Sequence, residues 1–303
     1  MKRCKLFAAF LVACLVFAGQ AQARYYDDVI ASGTLRIGVY RDFPPYSFLR
    51  DGQPAGVDIE IGRRIAESLG VSLDVHWITP DENLEDDLRN NVWKGHYLDK
   101  DPQNSLAPKN LADVMMRVPY DRQYAFKRES TGELVNEMVV LFGPYQRESW
   151  RVAFDSRKID QVSTVAVFQY HPVGVEIDSL PAFYLTSAFA GRMRDNTHHF
   201  SNLPAAFEAM RRGEVDAVMG MRAEVDWQLH RAGDGRYRVG ENGFPMMGKQ
   251  KWDIGMAVKH SYRQLGYAVE EVVDRLVRSG QMAEIYRQYG LTYEKPGLYQ
   301  ETL

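Results

Sequence analysis

The sequence predicts an α/β fold. Short β-branched segments alternate with stretches of helical periodicity, and the strand–helix–strand order appears near the start and returns in the middle. With 303 residues, the chain can build one large or two medium domains. Both cysteines lie in the first 14 residues, so the rest of the chain must be held by its core rather than by disulfides.

The first element is Gly33-Thr34-Leu35-Arg36-Ile37-Gly38-Val39, a strand opened by glycine. It runs into Tyr40-Arg41-Asp42-Phe43-Pro44-Pro45-Tyr46-Ser47-Phe48, where paired prolines forbid continuation. Val57, Ile61, Ile65 and Leu69 then recur every four residues, and Gly70 marks a helix stop. Val71 to Trp77 is the second strand, and the pair begins a parallel sheet. Asp113 to Met116 reads as a further strand, and so does Val162 to Phe168. Asn202-Leu203-Pro204 caps a helix carrying Phe207 and Met210, ended by Gly213. Strands follow at Val215 to Met219 and Ile254 to Val258. The last helical stretch sets Leu265, Val269, Val272 and Leu276 on one stripe, followed by Met282, Ile285 and Tyr286; this spacing is ordinary core.

Two segments break the pattern. Trp93 to Leu111 has no periodicity and is long for a loop inside a compact domain, which marks it as functional or mobile. Glu129 to Glu133 is polar and contains a glycine, as a crossing between lobes would.

Met1-Lys2-Arg3-Cys4-Lys5 is a basic n-region, Leu6 to Ala18 an apolar stretch, and Ala21-Gln22-Ala23 a small-x-small site. The expectation is a signal peptide over 1–23, cleaved near Ala23, and a periplasmic mature protein. Its apolar run is shorter than the roughly 20 residues that span a bilayer. Without those residues the balance is 34 basic against 40 acidic, a net of about −6. That acidity argues against nucleic acid, which demands a basic face. No metal site is expected: His198-His199 are adjacent, whereas two ligands on one helical face need a spacing of three or four. No cofactor is assigned.

With those residues in place, the chain resembles the extracellular solute-binding proteins of family 3, which serve polar amino-acid-type ABC importers. The resemblance is carried by Gly33 to Val39, Phe43-Pro44-Pro45-Tyr46-Ser47-Phe48 and Gly56-Val57-Asp58-Ile59-Glu60-Ile61. Arg212 to Val218, Asp253 to Val258 and Gly280 to Tyr286 extend it to the end of the chain. It implies a two-lobed type II periplasmic-binding-protein fold: two mixed sheets flanked by helices, joined by two hinge crossings. Lobe 1 is then 24–130 plus 253–303, and lobe 2 is 131–252. The ligand is held between the lobes, beyond the carboxyl ends of strands.

Candidate ligand-binding residues follow. Tyr40, Asp42, Phe43 and Tyr46 lie after the first strand; Phe43 and Tyr46 either wall the ligand or plug the lobe surface. Arg117 and Arg122 flank Val118-Pro119-Tyr120-Asp121. The family's loop here carries an arginine that grips a carboxylate, and Tyr120-Asp121-Arg122 reads as a shortened version. The alternative is a surface arginine paired with Asp121. Gln169 and Tyr170 occupy the expected position of the family's small-residue turn, and Trp252 completes the set. The family's second-lobe strand is usually followed by an aspartate that pairs with the ligand ammonium. Here stands Met221, followed by Arg222. Methionine cannot neutralise an ammonium, which argues against a standard α-amino acid, and Arg222 favours an anion.

Three functions are compatible with this reading. The first is a non-enzymatic, monomeric receptor delivering a small polar or anionic solute to an ABC permease. The second is an accessory protein of a quinoprotein alcohol dehydrogenase and cytochrome c system, whose branch Asp87 to Tyr97 resembles. The third is an enzyme like the cyclohexadienyl dehydratases, with Asp42 and Asp121 as candidate acids by position.

Overall fold

The structure is a computed structural model that describes residues 24–96, 110–233 and 235–300. The proposed signal segment and most of the loop from His96 to Leu111 therefore lie outside the described residues.

The chain runs through α1 (Tyr26–Ser32), β1 (Thr34–Tyr40), a hairpin of β2 (Phe48–Arg50) and β3 (Gln53–Ala55), α2 (Val57–Ser68), β4 (Ser72–Ile78) and α3 (Leu84–Leu88). It continues with β5 (Val114–Pro119), α4 (Arg122–Ala125) and the long β6 (Val139–Asp155). Next come β7 (Val173–Glu176), α5 (Leu180–Ser187), β8 (Thr197–Phe200), α6 (Leu203–Arg212) and β9 (Ala217–Met221). The remainder is α7 (Arg222–Ala232), β10 (Tyr237–Val239), β11 (Lys251–Lys259), α8 (Arg263–Ser279) and α9 (Gln281–Gln288).

The main strand order is β4-β1-β5-β11-β6-β9-β7-β8, with β10 beside β6. In one half, β4, β1 and β5 are parallel and β11 runs against them. In the other, β8, β7 and β9 are parallel. Strand β6 belongs to both, pairing antiparallel with β11 over Val139 to Ser149 and with β9 over Trp150 to Phe154. A C-terminal strand thus completes the sheet begun by N-terminal ones.

Each half is a helix-covered sheet. Val114 and Met116 of β5 face a core with Ile61, Ile65, Val269 and Tyr286, whereas Met115 faces Leu88 and Val92 on the other side. This is the period-2 alternation of a strand buried on both faces. In the second half, Val152 and Met219 pack with Phe168 and Leu185, while Ala153 and Val218 pack with Phe207 and Met210. Leu265, Val269, Val272, Leu276, Met282, Ile285 and Tyr286 are all buried, as their stripe predicts.

Two expectations need correction. Val162 to Phe168 is not a strand: Val165–Gln169 is a 3-10 turn, opened by the Thr164 side chain accepting from the Ala166 N–H. Val162, Val165 and Phe168 are all fully buried, and within the 3-10 turn the spacing of three puts Val165 and Phe168 on one face. The strand of this region is β7. Glu129 to Glu133 is a local turn, closed by a bridge between Arg128 and Leu134; the run that links the two halves is β6.

Candidate ligand-binding site

The site begins with an interruption in β5. Val118 pairs with Gly255 and Met116 with Met256, so Arg117 is an extra residue with no partner on β11. Its φ of 63° lies in the left-handed region, which strains a residue with a side chain. Such bulges re-aim a side chain out of the ladder's alternation. The Arg117 N–H, lacking a ladder partner, donates to the Tyr145 hydroxyl at 3.2 Å.

The re-aimed guanidinium lies over the Tyr46 ring, 3.4 Å from its centroid, and 5.8 Å from that of Phe43. Its Nη1 lies 3.6 Å from Asp58 Oδ1 and donates to Gln146 Oε1 at 3.3 Å. Tyr286 donates to the same Gln146 oxygen at 2.7 Å. Gln146 Nε2 and the Tyr46 hydroxyl both donate to Glu148 Oε2, at 2.7 and 2.9 Å. Glu148 Oε1 accepts from the Ser149 N–H at 2.8 Å and lies 3.6 Å from Arg222 Nε. Arg222 also pairs with Glu294 at 2.9 Å and donates to the Arg147 carbonyl. A polar chain thus runs from Asp58 on α2 to the first turn of α7.

Burial in this chain sets its electrostatics. Burial pushes the Asp58 carboxyl up to about 6, against the opposing pull of Arg117 and the Tyr145 hydrogen bond. Burial alone would lower Arg117, but Tyr46 and Asp58 hold it above the ordinary arginine value.

Beside this chain, a cavity of about 210 Å³ opens at the carboxyl ends of β7 and β9. Trp150, Glu176, Ser179, Met221 and Glu224 are among its lining residues. Glu224 is 7% exposed. Burial raises its carboxyl to about 8, reinforced by repulsion from Glu176 and Glu148 and opposed by Arg117. Ser179 caps α5 here, accepting from the Ala182 N–H.

The structure brings Phe43, Tyr46, Arg117 and Arg222 into or against this cluster. Tyr40 ends β1 and donates to Asp87 at 2.7 Å. Asp42 is exposed on the turn after β1. Trp252 packs against Trp150 in a tilted pair, with ring centroids 4.8 Å apart. Tyr120 and Arg122 lie elsewhere, on a groove with Ala125, Phe126 and His260. Asp121 caps α4 and pairs with Lys249, rather than with Arg122. Gln169 and Tyr170 sit at the amino end of β7, opposite the cavity, and Tyr170 is 82% exposed.

Sequence reasoning missed Asp58, Tyr145, Gln146, Glu148, Glu176 and Glu224. Gln146 and Glu148 lie at positions i and i+2 of β6 and so share a face, but Arg147 and Ser149 beside them are polar too, which hides the alternation in the sequence. Among the described residues, no group of three or more His, Cys, Asp or Glu is arranged to hold a metal ion. Also among them, no helix is long and apolar enough to cross a membrane.

The sequence profile of the bacterial extracellular solute-binding proteins, family 3, matches residues 35–93. Over 67 residues the chain is 38% identical to a cyclohexadienyl dehydratase of Pseudomonas aeruginosa, a match covering 20% of this chain and 25% of that enzyme. The chain therefore matches about a quarter of the length of this curated relative. Among solved structures, an ancestral cationic amino-acid solute-binding protein superposes with a TM-score of 0.64 at 16% identity, covering 88% of this chain and 99% of that one. A Streptococcus pneumoniae amino-acid ABC transporter substrate-binding protein bound to L-arginine gives 0.58 at 15% identity, covering 89% and 99%. A mutant of ArgBP from T. maritima gives 0.55 at 20% identity, covering 87% and 98%. The two-lobed periplasmic-binding-protein fold expected from the sequence is the fold these structures share with this chain.

Proposed function

We propose that this chain, whose family-matching segment and fold are those of the bacterial extracellular solute-binding proteins of family 3, captures a small polar solute between its two lobes. One observation carries the reading. The cavity at the carboxyl ends of β7 and β9 is lined by Glu224, whose carboxyl feels the charges of Glu148 and Arg117 in the buried cluster of the other half. Open α/β sheets bind ligands at such strand ends. The first stretch of β6, to Ser149, counts with lobe 1 in this reading, and its second stretch with lobe 2.

The anion preference inferred from Arg222 loses its support. That side chain is 3% exposed and already faces Glu148 and Glu294. The charged cavity-lining side chains Glu176, Asp178 and Glu224 are acidic. Export to the periplasm and delivery to an ABC permease complete the proposed role. A thermal-shift screen of amino acids, amines and organic acids tests it. At least one solute should raise the melting temperature strongly, because a ligand of the native state stabilises it by mass action. Silence across the screen would overturn the reading.

A second reading is enzymatic, favoured by the match to the dehydratase and by Glu224, whose raised carboxyl retains a proton near neutrality. Such a group can act as general acid for a departing hydroxyl. Turnover of prephenate or arogenate, abolished in Glu224→Gln, would establish it; no turnover removes it.

A further inference from the structure

Glu224 is the feature that solute binding alone does not explain. Its carboxyl lines the cavity, its residue is only 7% exposed, and among the described residues nothing hydrogen-bonds to it or pairs with it. A buried carboxylate left unpaired is costly, so the group requires either a proton or a cation.

Its surroundings decide what supplies that need. From β7 it faces Glu176, and from β6 Glu148, both of which repel a negative charge on it. From β5, Arg117 attracts it, but that guanidinium already lies against Asp58 and over the Tyr46 ring. The Tyr46 hydroxyl also senses Glu224, and it donates to Glu148. Asp178, on the turn after β7, adds an exposed carboxylate to the lining. From α6 and β9 come only Leu203, Met219, Gly220 and Met221. On its own helix, Arg222 is turned to Glu148 and Glu294, and Val225 packs with Phe207 and Tyr237. The charged lining of the cavity is thus acidic, while the nearby arginines are already paired.

We propose that the cavity takes an organic cation, and that Glu224 gives up a proton to solvent as that cation enters. The inference rests on the solute-binding reading. Glu224 stands one turn into α7 from the end of β9 and supplies the carboxylate that Met221 does not. In the exchange, the carboxyl O–H bond breaks heterolytically, the proton passes to water or buffer, and the carboxylate pairs with the ammonium or guanidinium. No electron is transferred. The exchange replaces one positive partner by another, so the bound cation relieves Glu224 of the cost of standing as a bare anion in the cavity. Binding should therefore tighten as pH rises toward 8, the value near which Glu224 titrates.

Two measurements test this. The first needs no ligand: the melting temperature of wild type is followed from pH 5 to pH 8 beside Glu224→Gln, which mimics the protonated carboxyl. Wild type should lose stability across that range and the variant should lose less; identical profiles overturn the proposal. The second is calorimetry of L-arginine, L-lysine, putrescine and the uncharged arginine isostere L-citrulline, in two buffers of different ionisation enthalpy. At least one cation should bind more tightly than citrulline, release close to one proton, and gain up to about tenfold in affinity per pH unit below pH 8. Glu224→Gln should abolish the release, and Glu176→Gln should move it to lower pH by removing a repulsion. Cation binding without proton release, equal binding of citrulline, or no binding by any of the three cations overturns the proposal. If another solute stabilises the protein in the wider screen, the solute-binding reading survives that failure.

Discussion

Arg117 shows how much one backbone residue can decide. Its left-handed φ takes it out of the β5 ladder and lays its guanidinium on Tyr46 beside Asp58. Removing the charge with Arg117→Met leaves Asp58 and its buried neighbours uncompensated, and should cost about 3 to 5 kcal/mol in urea denaturation. Arg117→Lys should cost less, because the charge remains, but it loses the planar stack on Tyr46. Asp58 gives a pH signature. Its carboxyl titrates at about 6 in the folded protein, above the ordinary value of 3.8. The folded state therefore holds this proton where the unfolded state has lost it, so its contribution is full below about 4 and is lost as pH rises through 6. Asp58→Asn should flatten that part of a stability–pH curve, leaving the fall toward pH 8 to Glu224. The sequence named Arg117 only as one of two arginines flanking a loop and gave Asp58 no role, because a bulge and a buried partner depend on which strands become neighbours. The shaped loop itself was legible, since paired prolines and aromatic residues after a strand mark one whatever lies opposite, but Tyr46 is fully buried beneath Arg117 and plugs the first half rather than walling a ligand.

At the scale of elements, the junction from the Pro44-Pro45 loop into α2 is tightly constrained. Gly56 has φ 122°, and a Cβ there would stand 2.2 Å from the Tyr46 carbonyl oxygen. Gly56→Ala should therefore destabilise the protein by at least about 2 kcal/mol, and should displace Tyr46 from Arg117. An exposed cap offers the contrast. Asn202 accepts from the Ala205 N–H at 2.9 Å at the start of α6. Asn202→Ala should cost about 1 kcal/mol in denaturant titration and leave solute binding unchanged. Strands and helices with clear periodicity appear where the sequence predicts them, with ends shifted by a few residues. The exception, Val162 to Phe168, is an apolar run whose strand and 3-10 readings differ only in which residues meet the core. That choice is made by the packing of Val162, Val165 and Phe168 against Leu185 and Met219.

For the whole molecule, closure is the measurable behaviour. Helix α7 from the second half packs on the first: Trp227 lies against Phe48 and Tyr289, and the Thr292 N–H donates to Asp226 at 2.9 Å. A bound solute should favour this packed arrangement, lowering the radius of gyration in small-angle X-ray scattering; an unchanged radius with a solute bound would exclude closure. The sequence by itself determined the α/β class, the first strand–helix–strand unit, the C-terminal helical stripe, the family resemblance and the aromatic loop after β1. These follow from local periodicity, turn chemistry and short contiguous motifs. Only the tertiary structure decided that Arg117 rather than Arg122 is the buried arginine, that Arg222 is already paired, and that Glu176 and Glu224 line the cavity. Those assignments join residues far apart in the chain, across β5, β6, β7 and α7, and burial and charge pairing exist only once these elements are packed together.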